Sequence, residues 1–265
     1  MSARAGFWAT FLALVTAAVV GLVVSGLSVA DLQHLGTPRN AVLDGGTQVR
    51  VPVPPASDGR VLPAVSTSTS GAYAFMFEDG GVPVRFDPCR PIHYVYNPAG
   101  QPGDVDAIIA EAIDYVSSAS GLAFTYDGQT DEVASFDRHL FQPDRYGDGF
   151  APLIIGWSDE EATPDLDGTV TGLGGSSSVT GAFGEQRYLK SGTVLLDIDD
   201  MRTLLGTGNG RKIARAVIMH EIAHVVGLAH VADPTEIMNA SNTSLTEWGP
   251  GDLAGLAIAG NGPCE

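Results

Sequence analysis

The 265-residue chain carries 31 acidic and 14 basic side chains, a formal charge of −17, which argues against nucleic-acid binding, for which a basic patch is expected. The acidic excess says nothing further about partners, because such surfaces usually serve solubility. Two cysteines, Cys89 and Cys264, allow one internal disulfide at most.

Residues 5–30 hold no charge and lie between Arg4 and Asp31. Phe7 to Val24 is near the length of a bilayer-spanning helix, and longer than the usual apolar core of a secretory signal. Ser28-Val29-Ala30 places small residues where a signal peptidase reads, which would cut before Asp31. With the positive charge on the amino-terminal side, a cleaved signal and a retained anchor both leave the rest of the chain outside the cytoplasm. The expectation is therefore export, either as a secreted protein or as one held at the membrane by residues 5–30.

Residues 31–72 are rich in Pro, Gly, Ser and Thr, as in VPVPPASDGRVLP and STSTSG, and show no helical or alternating pattern. They read as an extended spacer or a short pro-segment. In an exported protein Cys89 and Cys264 suit a disulfide that ties the start of the following domain to the chain's end. Such a loop adds about 3–5 kcal/mol on the chain-entropy view, with two free thiols as the alternative.

From residue 73 the chain reads as one domain, 73–265. Strands are expected at Tyr73 to Phe77, Ile92 to Tyr96, Leu122 to Tyr126, Pro152 to Trp157 and Gly192 to Ile198. Val105, Ile108, Ile109, Ala112, Ile113 and Val116 recur at helical spacing, predicting a helix over 104–120 that stops at Gly121. Gly181 to Gly184 and the Ser-rich run before it suggest a loop or a thin edge strand. A helix over 209–226 and a short one over 252–259 complete the series.

The sequence from His220 to His230 is HEIAHVVGLAH. On a helix, residues four apart stand one turn above each other, about 6 Å along the axis. His220 and His224 can therefore reach one ion, with Glu221 beside it and off the metal. Gly227 can leave the helix through left-handed backbone, so that His230 swings back as a third ligand. Three protein ligands leave a tetrahedral zinc one open position, the arrangement of a catalytic site. The plainer reading is a core helix that happens to carry histidines, its apolar face made by Ile213, Ala216, Val217, Ala223, Val225 and Val226. The other three histidines, His34, His93 and His139, are scattered and suggest no second zinc.

HEIAHVVGLAH matches the HExxHxxGxxH signature of the metzincin metallopeptidases, and Met238 in Glu236-Ile237-Met238-Asn239 follows at the distance of that family's Met-turn. The chain resembles this family, most of all its bacterial matrixin-like members. It departs from animal matrixins at Val231, where they carry Ser. It lacks the Tyr after Met238 that marks the astacin and serralysin branches. The resemblance implies an α+β, zincin-type domain: a twisted mixed β-sheet packed on helices, a zinc helix, the Met-turn and a C-terminal helix. It implies His220, His224 and His230 as ligands of one Zn²⁺, Glu221 as general base, Met238 as the floor of the site, and hydrolysis of a protein or peptide substrate by a zinc-activated water. By the same analogy the substrate lies extended along a strand near Gly172 to Val179, and the loop from Asn239 to Trp248 walls the pocket for the side chain after the cut.

Two other functions fit the same motif: a zinc-binding interaction module without activity, and a zinc hydrolase with a non-peptide substrate. Retention of Glu221 disfavours the first. Asp159-Glu160-Glu161, Asp165 to Asp167 and Asp197 to Asp200 are candidates for Ca²⁺, since hard cations take carboxylate oxygens. None has the spacing of an EF-hand loop, and solvated loop carboxylates are the alternative.

Overall fold

The apolar runs in the middle of the chain become strands buried on both faces. In the computed structural model β6 (Ile92–Tyr96), β8 (Leu153–Ser158) and β10 (Arg187–Asp197) lie side by side and parallel. Leu153, Ile155, Val194 and Leu196 enter the main core, while the alternate residues Ile154, Leu195 and Val95 enter a smaller cluster with Ala134. Continuous rather than alternating hydrophobicity is the mark of such doubly covered strands. The structure describes residues 40–43, 46–51, 57–66, 70–181, 187–241 and 244–264. The apolar segment 5–30 lies outside these, and among the described residues no helix is long and apolar enough to cross a membrane.

The other elements, in chain order, are β1 (Asn40–Leu43), β2 (Gln48–Arg50), β3 (Ala74–Phe75), β4 (Glu78–Asp79), β5 (Val82–Pro83), α1 (Asp106–Ser120), β7 (Phe124–Gln129), α2 (Pro143–Tyr146), β9 (Gly172–Gly181), α3 (Ile198–Leu205), α4 (Gly210–Val225), β11 (Leu228–Ala229) and α5 (Pro250–Gly260). The sheet is seven-stranded and mixed, in the order β2-β1-β9-β10-β8-β6-β7, with β1, β2 and β9 antiparallel to their neighbours. The molecule is thus α+β. The apolar faces of α1 and α4 share the main core with the strands. Gly121 ends α1 at φ 71°, and a Cβ there would stand 2.7 Å from the Pro63 carbonyl oxygen. Only glycine takes this backbone without strain.

Four expectations change. The Gly- and Ser-rich run is neither a loop nor a thin edge: β9 is ten residues long and pairs with β10 from Thr180 back to Gly172. Its low strand propensity is overridden by that pairing. The strand expected to end at Ile198 ends at Asp197, whose carboxylate accepts the Asp200 N–H at 2.7 Å and opens α3. The strand expected over 73–77 shortens to β3, which lies outside the large sheet and pairs with β11.

The fourth concerns the segment 31–72, read as an extended spacer or a short pro-segment: described parts of it pack on the rest of the domain, as an extended spacer would not. One compact unit of the chain runs from Asn40 to Glu265, and in it β1 and β2 extend the sheet by pairing on the end of β9. The Arg60 guanidinium donates to the Gly260 carbonyl at 2.8 Å and the Gly121 carbonyl at 3.1 Å. One cation thereby meets the negative ends of α5 and α1, a favourable placement that no local sequence pattern announces. Cys89 and Cys264 form the disulfide, their Cα atoms 5.4 Å apart.

Candidate metal centre

Helix α4 crosses the sheet close enough for glycines in β9 to be required. A Cβ on Gly172 would stand 2.9 Å from Glu221 Cγ, and one on Gly174 would stand 2.2 Å from the Glu221 carbonyl oxygen. The glycine content that obscured β9 in the sequence is therefore what lets the helix pack there. Within α4, His220 and His224 project from successive turns. Gly227, at φ 107°, then turns the chain out of the helix into β11. Pairing with β3 fixes β11 and delivers His230.

The three rings converge. Their Nε2 atoms are 3.0 Å apart for His220 and His230, and 3.1 Å for each of the other two pairs. His220 Nδ1 lies 2.8 Å from the Ile237 carbonyl and His224 Nδ1 lies 2.8 Å from the Leu228 carbonyl. A carbonyl only accepts, so each Nδ1 carries the proton. Burial, the largest influence on both, pulls His220 down to about 4 and His224 to about 3, so the rings are neutral. The Nε2 atoms of His220 and His224 are then bare lone pairs facing one another, and they cannot hydrogen-bond together. A shared cation resolves that repulsion. A tetrahedral zinc with Zn–N of about 2.0–2.1 Å sets its nitrogens about 3.3 Å apart, near the spacing found. The residues therefore fit a metal ion, and backbone carbonyls orient two of the ligands from behind.

Glu221 is 6% exposed, and its one resolved partner is the Gly174 N–H. Burial pushes its carboxyl up to about 8 against the smaller opposing effect of that bond. Met238 is buried in the main core. Its turn is tied to α5 by two carboxylates that sequence reasoning missed. Asp252 accepts the N–H groups of Ile237 at 2.6 Å, Met238 at 3.1 Å and Gly249 at 2.9 Å. Glu236 accepts those of Gly251 and Asp252, at the positive end of the helix. Gly249-Pro250-Gly251-Asp252 carried a helix-start signal for Asp252, an acid in the first turn. The reach back to Ile237, and through its carbonyl to His220, had no sequence signal.

The histidines open on a cleft of about 580 Å³. Ile213, which the core-helix reading turned inward, lines it together with Val217 and Leu245, and these two also pack against the main core. Arg215, also unforeseen, braces this side: it bonds the Thr246 carbonyl and the carboxylates of Glu247 and Glu111, and stacks on Tyr115. A second hollow, of about 730 Å³ beside Glu132 and Arg138, shares no lining residue with the first.

Among the described residues the acidic clusters bring no three ligand atoms together. Asp159 accepts the Ala162 N–H, Asp197 caps α3, and Asp200 accepts the Thr171 hydroxyl. Of the scattered histidines, His93 bonds Asp127, and His34 lies outside the described residues.

No protein-family model matches the chain, and no curated protein matches it. Among solved structures it is similar to an archaemetzincin from Methanopyrus kandleri, 13% identical over 65% of this chain and 87% of that one, with a TM-score of 0.35. It is also similar to the GM1-bound form of the ECX AB5 holotoxin, 14% identical over 65% of this chain and 81% of that one, with a TM-score of 0.37. Likenesses this distant carry no argument, and what the centre can do rests on its own geometry.

Proposed function

We propose that this chain is a zinc-dependent endopeptidase that works outside the cytoplasm, with His220, His224 and His230 as the metal ligands and Glu221 as the general base. The observation that carries the reading is the convergence of three Nε2 atoms within 3.0–3.1 Å while backbone carbonyls hold the far sides of two rings. Zinc bound there would supply a Lewis acid that polarises a carbonyl and acidifies water. The charge of that zinc would favour the ionised form of Glu221, against the burial that raises it, and the carboxylate, in the cleft beside the ligands, would then take a proton from the attacking water and return it to the leaving amine. The Gly174 N–H and the close approach of Gly172 hold its carboxylate in place.

The outer edge of β9 supports a peptide substrate in particular. Among the described residues its strand partner on that side is β1, which covers only Val179 to Gly181. Gly172 to Gly174 line the cleft, so an extended chain can add to the sheet there with its backbone beside the histidines. The disulfide supports the exported compartment.

Incubating the full chain with a denatured protein mixture, with and without a chelator, tests the reading. One zinc per chain, chelator-sensitive cleavage, and loss of cleavage with zinc retained in Glu221→Gln are the expected results. A Glu221→Gln variant that cuts at the normal rate refutes the general-base role.

A further inference from the structure

Short strand β3 lies outside the large sheet and pairs only with β11 among the described strands. That pairing sets Ala74 opposite Ala229 and Phe75 opposite Leu228, and Met76, just past the strand, donates its N–H to the Gly227 carbonyl at 2.9 Å. The Met76 side chain is 38% exposed and lines the same cleft as His224 and His230. A segment far away in sequence thus places a large apolar group beside the candidate metal ligands.

Its position along the cleft follows from the direction of α4. Ile213 and Val217 precede His220 on that helix, whereas Gly227, whose carbonyl accepts the Met76 N–H, follows His224. The cleft therefore has two apolar ends with the histidines between them. Strand β9 runs the same way as α4: Gly172 abuts the Glu221 side chain, while Gly175, further along β9, lies with Val225 around Gly192. A peptide added antiparallel to β9 runs the opposite way. It passes Met76 first, crosses the histidines, and leaves past Val217. A methionine suits this post because its unbranched, polarisable side chain adapts to apolar partners of different shape.

We infer that Met76 is a specificity residue, selecting an apolar side chain on the amino-terminal side of the bond that is cut. The inference rests on the peptidase reading above. It adds a recognition element supplied by a short strand outside the main sheet and outside the histidine motif.

The test uses the full, zinc-loaded chain on a mixed peptide library with the products read by mass spectrometry. Met76→Ala is expected to lose about tenfold in kcat/KM for peptides with Leu, Met or Phe at one position before the cut, carried by KM, with the preference after the cut unchanged. Met76→Lys is expected to shift that one position toward Asp and Glu. Unchanged preferences in both variants overturn the inference while leaving the peptidase reading intact. A zinc-loaded parent chain that cuts no peptide overturns the peptidase reading, and this inference with it. A second measurement needs no change at Met76: in Glu221→Gln, excess library peptide should protect Met76 from sulfoxide formation by peroxide, with buried Met238 as internal reference. Equal oxidation of Met76 with and without peptide overturns the inference.

Discussion

Glu221 and Glu132 are both buried carboxylates, 6% and 8% exposed, yet their environments drive them in opposite directions. Around Glu132, burial would raise the carboxyl, but bonds from Arg138, Gln142 and Tyr146 outweigh it, and with the Arg138 charge they hold the group at about 2. Arg138 grips both oxygens, at 2.9 and 2.6 Å. Around Glu221 burial prevails, and the carboxyl stands at about 8. Burial alone therefore does not set the charge of a carboxylate; its partners do. The saturated group is a clasp that fastens the loop before α2 to the sheet. The poorly partnered one, beside three converging imidazoles, is the one poised for chemistry.

The same isosteric change at the two sites should separate these roles. Glu221→Gln is expected to lower kcat by about 10²–10⁴ with zinc content and melting temperature held, as measured by peptide hydrolysis, metal analysis and calorimetry. Glu132→Gln should do the reverse, costing stability and sparing kcat. Breaking the clasp from the other side should cost more: Arg138→Met strands a buried carboxylate and is expected to destabilise the fold by about 3–5 kcal/mol in urea titrations.

A gentler change probes the support of the metal centre. Asp252→Asn keeps the shape but weakens the hold on the Ile237 and Met238 N–H groups, and through the Ile237 carbonyl on His220. Zinc affinity should fall by about 10- to 100-fold in competition with a chromogenic chelator.

The smallest expected effect is on pH dependence. Glu132 has a folded value of about 2, below its ordinary 4.5, so its contribution to stability is fully present above about 4.5 and is lost as pH falls through about 2. The stability gap between the parent chain and Glu132→Gln should therefore narrow over that window. A gap that stays constant down to pH 2 would remove the clasp from the comparison.

Legibility in the sequence followed the range of the interactions. Helix α1 was readable because its apolar residues recur at helical spacing and Gly121 stops it, all within one short stretch. The candidate metal centre was readable for the same reason, since two rings one turn apart, a glycine exit and a returning histidine are local geometry. Strand β9 was obscured because its glycines answer to Glu221, on a helix that comes later in the chain. The packing of β1 and Arg60, within the stretch read as a spacer or pro-segment, was not legible because their partners are at β9 and at the ends of α1 and α5.

By itself, then, the sequence determined which three histidines converge, the place of Glu221 beside them, the exit at Gly227 and the order of the main helices and strands, because these depend on helical period and on the backbone freedom of single residues. Only the tertiary structure decided that Asp252 steadies His220 through a carbonyl, that Met76 joins the cleft, and that Glu132 is saturated while Glu221 is not. Those outcomes depend on which distant groups meet in a medium without water, where an unpaired charge or dipole is costly, and no local pattern of residues records such meetings.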